Sequence, residues 1–277
     1  MALDPRDSDL IVKWAELIAP AHWQAVDFIS DLHLQDSEPE TFRVWTNYLQ
    51  TAQADALFIL GDLFEVWVGD DVAAPNASAP DSFERQCASH LQAAAQRLAI
   101  FFMHGNRDFL VGQQFLTQCS ASLLSDPTVL NFGEERWLLS HGDELCLADT
   151  DYQQFRKMVR SDTWQSDFLN QPLAQRQTVA RGMRAQSEAR KKLGLKFVDV
   201  DTCMASRWLH NASASTLIHG HTHQPADHDM GHGLQRIVLS DWDAAAVPPR
   251  AQVLQLRRAA GSASTATPSI NRYNIYS

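Results

Sequence analysis

Long apolar runs are missing from this chain. None approaches the roughly 20 residues needed to cross a bilayer, and Asp4, Arg6, Asp7, Asp9, Lys13 and Glu16 interrupt any signal-type apolar stretch near the start. The expectation is a protein that is soluble or sits on a membrane surface. Cysteine is scarce: Cys87, Cys119, Cys146 and Cys203 form no Cys-x-x-Cys pair and keep no regular spacing. That argues against a zinc ribbon and favours free thiols in a reducing compartment. A basic excess is also lacking. Lys and Arg number 23 against 33 Asp and Glu, and the net charge of -10 disfavours a general nucleic-acid binder. No internal repeat is visible.

What remains is 277 residues with 45% hydrophobic content, ample for a full core. One domain with insertions, or one with a small cap, fits better than two equal domains. Residues 1–22 read as an extension, in which Leu10, Ile11, Trp14, Leu17 and Ile18 fall at helical spacing. The main domain spans 23–257, with a mostly helical segment at about 150–210. From Ala259 on, Gly-Ser-Ala-Ser-Thr-Ala-Thr-Pro-Ser shows no core-forming pattern, so 258–277 is expected to be a tail without structure.

Short buried-type strands are predicted at 26–30, 56–60, 99–103, 136–139 and 216–218, and later alternating strands at 237–239 and 251–256. Each of the first five runs into a polar cluster: Asp31/His33, Asp62, Asn106/Arg107/Asp108, His141 and His219/His221. Ligands of open α/β sheets gather beyond the carboxyl ends of strands. Residues two apart in extended chain share a side, so Asp31 with His33, and His219 with His221, can each aim into one cavity. Taken singly, Asp31-Leu32-His33 is as well explained by a helix cap and Gly105-Asn106-Arg107-Asp108 by a turn. Their joint occurrence after successive strands is not. Carboxylate, imidazole and amide donors without thiolate suit Mn, Fe or Zn in a catalytic setting. Seven such donors are too many for one tetrahedral ion and suit two ions sharing a carboxylate, about 3.5–4 Å apart.

The order Asp-x-His, Gly-Asp, Gly-Asn-Arg-Asp, His and Gly-His-x-His, spread from Asp31 to His223, resembles the calcineurin-like metallophosphoesterases. The resemblance implies a four-layer α/β/β/α sandwich with a helical cap insertion. It also implies two divalent cations, with Mn2+ favoured. Asp31, His33, Asp62 and His221 would hold one, and Asp62, Asn106, His141 and His219 the other, with Asp62 as bridge. Asp62, His141 and Arg107 would carry catalysis, Arg107 by stabilising charge on phosphoryl oxygens.

Gly61-Asp62-Leu63-Phe64-Glu65-Val66-Trp67-Val68-Gly69-Asp70-Asp71 is more specific. With His104 to Leu110, His141 to Cys146 and Tyr152 to Arg156, it is similar to the UDP-2,3-diacylglucosamine pyrophosphohydrolases of lipid A synthesis. That family hydrolyses a UDP-linked diacylated glucosamine to UMP and the sugar 1-phosphate, and is cytoplasmic and peripheral on the inner membrane. Asn106, Arg107, Asp149, Ser187, His219 and a lysine from Lys191 or Lys192 would contact substrate, and the expected state is a monomer. Ser240-Asp241-Trp242-Asp243 departs from the usual Gly-x-Trp-His, and the loop at 72–82 is long.

Residues 156–196 carry ten basic side chains against three acidic ones, a net of +7 inside a chain of -10. Phe155, Met158, Trp164, Phe168 and Met183 are interleaved with them. The pattern reads as a cap whose apolar inside takes acyl chains and whose basic side meets a diphosphate or anionic headgroups. A metallophosphoesterase acting on another nucleotide or phosphoester is the alternative. A scaffold of the same fold without metals fits less well, since all seven donors are intact.

Overall fold

A computed structural model describes residues 14–74, 82–192, 198–258 and 267–276, with the side chains of 185–192 left outside. Twelve strands among these residues form two six-stranded sheets. The first follows the order β12 (Ser269–Asn274), β11 (Gln252–Arg257), β2 (Ala25–Ile29), β3 (Ala56–Leu60), β4 (Ala99–Met103), β5 (Ala121–Leu124). The second follows β1 (Ala15–Ile18), β6 (Thr128–Phe132), β7 (Glu135–Ser140), β8 (Thr216–His219), β10 (Leu234–Val238), β9 (Ala226–Gly231). β2, β3, β4 and β5 run parallel, as do β7, β8 and β10.

Alternation along β3 explains the layering. Ala56, Phe58 and Leu60 face a cluster shared with Leu130, Trp137, Leu139, Ile218 and Ile237 of the other sheet. Leu57 and Ile59 face the opposite way, toward α1 (Pro39–Thr51), α2 (Phe83–Ala94) and α3 (Gln113–Cys119), meeting Trp45, Leu49, Leu91 and Phe115. Across the second sheet, Val129, Leu138 and Leu217 pack on Ala205 and Leu209 of α7 (Thr202–Ala212). The layers are therefore helices, sheet, sheet, helix. All five residues of β2 and of β3 are buried, as covering on both faces requires. Phe28, Phe58 and Phe101 stack between the sheets with ring centroids 5.1 and 4.9 Å apart.

Between β7 and α7 the chain leaves the sandwich as α4 (Thr150–Val159), α5 (Asp162–Leu169) and α6 (Leu173–Lys192), which is the inserted cap. The strand predictions hold to within a few residues, and the hairpin of β6 and β7 is antiparallel.

Two expectations at the chain's ends are corrected. Ala15–Ile18 is a strand, not part of a helix, and pairs parallel with β6. Four residues beside an open sheet edge gain backbone hydrogen bonds there, and apolar spacing over so short a window fits either period. Ser269–Asn274, expected to lack structure, pairs antiparallel with β11. Arg272 on this strand donates to the Ala226 and Val238 carbonyls and pairs with Asp227, tying the first sheet to the edge of the second. The remaining expectations for 1–13, 75–81 and 259–266 lie outside the described residues.

Asp27 binds the same edge from within. Its carboxylate accepts from Tyr48 of α1, Gln255 of β11 and Tyr273 of β12 at 2.8, 2.7 and 3.0 Å. Burial raises its pKa above the ordinary 3.8, against the lowering effect of these hydrogen bonds. The ionised form therefore costs the fold stability, by nothing below 3.8 and by more as pH rises through the folded value. Asp27→Asn keeps an acceptor for the tyrosines and removes the charge. Its urea midpoint should gain on the wild type between pH 4 and pH 7; a difference independent of pH would refute this account.

Candidate functional site

Every strand that points at the cap ends in a turn carrying a polar side chain. Asp31, His33, Asp62, His221 and His223 all adopt positive φ, between 48° and 66°. They are five of the eight non-glycine residues in that region among the described residues. Asp and His tolerate it better than most, and such backbone is characteristic of sites where surrounding structure over-determines a conformation. Gly105 passes so near Asp62 that a Cβ there would strike its carboxylate.

The side chains converge in two overlapping groups. In the first, His223 Nε2 lies 3.3 Å from both Asp31 Oδ1 and His33 Nε2. In the second, Asn106 Oδ1 lies 3.0 Å from His141 Nε2 and 2.8 Å from His221 Nδ1. Asp62 stands between them, with Oδ2 3.9 Å from His33 Nε2 and Oδ1 3.8 Å from His141 Nε2. The donor atoms of Asp31, His33 and His223 lie within 4.8 Å of one another, as do those of Asp31, Asp62 and His141. Outer partners aim these rings. His33 Nδ1 lies 2.9 Å from Glu65 Oε2, and His141 Nδ1 is 2.9 Å from the Leu60 carbonyl, leaving each Nε2 turned inward.

The electrostatics follow from burying acids. Burial would raise the Asp31 carboxyl, but the nearby His223, His141 and His33 hold it well below the carboxylate range. Burial lowers the basicity of His141, yet Asp62, Asp143 and Asp31 push it up to about 9. His221 goes the other way, to about 3, through burial and the neighbouring His141. The acids draw protons onto His33 and His141, and cations bound at the same atoms would displace them.

Between this floor and the cap lies an open cavity of about 1070 Å³. His33, Asp62, Asn106, Arg107, His221 and His223 line its base, and Phe155, Met158, Trp164, Phe168 and Met183 of the cap line its wall with Val66 and Phe109. α4 grips the floor: Arg156 Nε donates to Asp143 Oδ2 at 2.9 Å, and Arg160 donates to the Gly105 carbonyl at 3.0 Å. The Tyr152 ring stacks on His221 with centroids 5.9 Å apart.

Comparison with known proteins agrees with this geometry. The calcineurin-like phosphoesterase family matches residues 25–225. The UDP-2,3-diacylglucosamine hydrolase of Aromatoleum aromaticum is 44% identical over 222 residues, covering 78% of this chain and 88% of that protein. Those of Chromobacterium violaceum and Cellvibrio japonicus are 45% and 43% identical, covering 79% and 78% of this chain and 90% of each relative. The chain belongs to the calcineurin-like phosphoesterase family.

Against this family pattern, the structure brings Asp31, His33, Asp62, Asn106, Arg107, His141 and His221 together, and places Asp149 in the cavity lining. His219 is the correction. It is fully buried below the floor, its Nδ1 2.8 Å from the Gly220 carbonyl and its ring against Gly142, and it does not line the cavity. His219 ends β8, so the two-residue alternation stops there; left-handed turns at His221 and His223 then swing those two rings inward. His221 therefore joins Asn106 and His141, and His223 takes the place beside Asp31 and His33. Side chains of Ser187, Lys191 and Lys192 lie outside the described residues.

Sequence reasoning also missed Glu65, whose outer role shows only in three dimensions. Asp108 accepts the backbone N–H groups of Asp62 and Gly105 on Oδ1 and of Leu63 and Phe64 on Oδ2, at 2.8 to 3.3 Å. Burial and the adjacent Asp62 push its pKa up to about 7. Asp108→Ala would strand four buried donors and should lower stability by about 3 kcal/mol or more. Urea unfolding measures this, and a loss under about 1 kcal/mol would show the loops hold themselves.

Proposed function

We propose that the chain hydrolyses the pyrophosphate bond of UDP-2,3-diacylglucosamine. Water adds to the α-phosphorus, the bond from that phosphorus to the bridging oxygen breaks, and UMP and 2,3-diacylglucosamine 1-phosphate separate. The observation that carries this reading is the cavity itself. A floor of Asp, Asn and His donors lies under apolar cap walls, in a space of about 1070 Å³. A soluble phosphoester has no use for such walls, whereas acyl chains do. The names of relatives 43% to 45% identical point to the same substrate.

The donor set suits divalent cations. Among the described residues the buried Asp31 Oδ1 accepts no hydrogen bond, and the converging atoms are oxygens and imidazole nitrogens. Asp31, His33, Asp62 and His223 would hold one ion, and Asp62, Asn106, His141 and His221 the other, with Mn2+ favoured by family resemblance. When bound, such ions supply Lewis-acid charge and make water acidic enough to lose a proton near neutral pH. The chain's own residues do the rest. Arg107 and Arg184 line the cavity beside the floor and set positive charge where diphosphate oxygens must lie. Glu65 and the Leu60 carbonyl keep His33 and His141 turned inward.

Attachment to the cytoplasmic face of the inner membrane belongs to the same reading. Val66, Leu147 and Met158 at or beside the cavity are 36%, 40% and 50% exposed, large apolar groups where a lipid would enter. No described helix is long and apolar enough to cross a membrane.

The test uses metal-depleted protein with Mn2+ restored. Hydrolysis of UDP-2,3-diacylglucosamine should exceed that of p-nitrophenyl phosphate by at least about 100-fold, a gap of about 2.7 kcal/mol in activation free energy, and fall when the acyl chains are removed. Comparable rates on both would defeat the lipid reading. Metal counting tests the ligand register separately. His223→Ala should lose tightly bound Mn2+ from one of two sites, while His219→Asn retains both; the reverse would restore His219 as a ligand.

A further inference from the structure

Glu65 is buried at 8% exposure, and a buried carboxylate is costly unless paired. It has three basic neighbours from three parts of the fold. Oε2 lies 2.9 Å from His33 Nδ1. Oε1 lies 3.6 Å from Arg107 Nη1 and 3.3 Å from Arg184 Nε. His33 belongs to the turn after β2, Arg107 to the turn after β4 and Arg184 to α6 of the cap. Arg184 also donates from Nη1 to Gln35 Oε1 at 2.9 Å, just past His33.

We propose that Glu65 is a positioning residue that joins the metal floor to the cap, one carboxylate oxygen setting the His33 ring while the other docks Arg184 and so α6. The division of labour between the oxygens carries the argument. With Nδ1 facing Oε2, His33 presents Nε2 to Asp62 and His223. With Oε1 shared, Arg107 and Arg184 are held side by side where both line the cavity. Loss of Glu65 therefore frees both the His33 ring and the cap, whereas loss of Arg184 frees the cap alone, because His33 keeps its own carboxylate oxygen. This rests on the reading of the floor as a two-cation site.

The experiment compares the full-length wild type with Glu65→Gln and Arg184→Met. Mn2+ titration followed by the spin-resonance signal of the free ion gives site number and affinity. Amide hydrogen exchange over 173–184 reports the docking of α6. Glu65→Gln should weaken one of the two Mn2+ sites by about 10–100-fold and speed exchange in α6 by about tenfold. Arg184→Met should speed the same exchange and leave both Mn2+ affinities at the wild-type value. A merely structural loss would move both sites and every helix together. Should Glu65→Gln fail to fold, Glu65→Asp keeps the charge but falls short of spanning His33 and Arg184, and one weakened site is again expected. Wild-type affinity at both sites in the Glu65 variant, or unchanged exchange in α6, would overturn the proposal. Neither readout contains the lipid nucleotide. A chain that shows both effects yet spares UDP-2,3-diacylglucosamine defeats the substrate reading alone.

Discussion

Burying carboxylates is the constraint on which the rest of this structure depends. Asp31, Asp62, Asp108 and Asp143 are each at most 2% exposed, gathered at the ends of adjacent strands. Such a cluster survives only if each charge is answered by hydrogen bonds, cations or protons. Asp108 is answered by four backbone N–H groups, so it can fasten the turns after β3 and β4 to each other. Asp143 is answered by Arg156, and against the effect of partial burial Asp143 and then Glu144 keep that guanidinium more firmly charged than usual. Asp31 Oδ2 accepts from Ser30 Oγ and the His221 N–H and Asp62 Oδ1 from the Arg107 N–H, while Asp31 Oδ1 and Asp62 Oδ2 face imidazoles, where a divalent cation can compete with a proton.

The cap is the counter-charge to this acid body. Its composition suggested a basic surface for headgroups, yet four of its arginines turn inward. Arg156 and Arg160 meet Asp143, Arg176 meets Asp71 and the Val68 carbonyl, and Arg184 meets Glu65. An exposed ion pair contributes little, but Arg176 is 3% exposed and removing its partner would leave a buried charge. The cap is thus held to the floor by charge and lines the cavity above it with apolar side chains. Its mixed composition reflects two faces with different tasks.

How much of this was legible in the sequence depends on range. Asp31 and Asp62 could be placed because each follows a short strand buried along its whole length, and Asn106 and His141 because theirs are apolar and buried toward the carboxyl end, which leaves a near-continuous apolar signature. The histidines after β8 could not be placed by the same rule, since side-chain alternation is a property of extended chain and ends with it at His219. Positive φ at His221 and His223 leaves no mark on the sequence when the residues are not glycine. Likewise β1 and β12 are edge strands with exposed residues, held by pairing that the local sequence does not encode. Contacts such as Glu65 with Arg184 join residues far apart in the chain, and no periodicity announces them.

The stretch from Gly61 to Asp71 shows why specificity and chemistry coincide in one segment. Gly61 takes φ of +89° with no room for a Cβ beside His141, and Asp62 follows as the carboxylate facing both donor groups. Leu63 and Phe64 give their N–H groups to Asp108, and Glu65 reaches His33 and the cap. Trp67 packs on Phe64 and Phe115 and donates to Asp70, whose carboxylate accepts the Gly112 and Phe115 N–H groups at the start of α3. Asp71 then receives Arg176 of α6. Successive residues in this run serve the floor, the helical layer and the cap in turn. Adding or removing one would shift every later side chain onto the wrong partner. The segment's length is therefore fixed by the three-way junction it builds, a tighter requirement than holding a metal, which needs only Asp62.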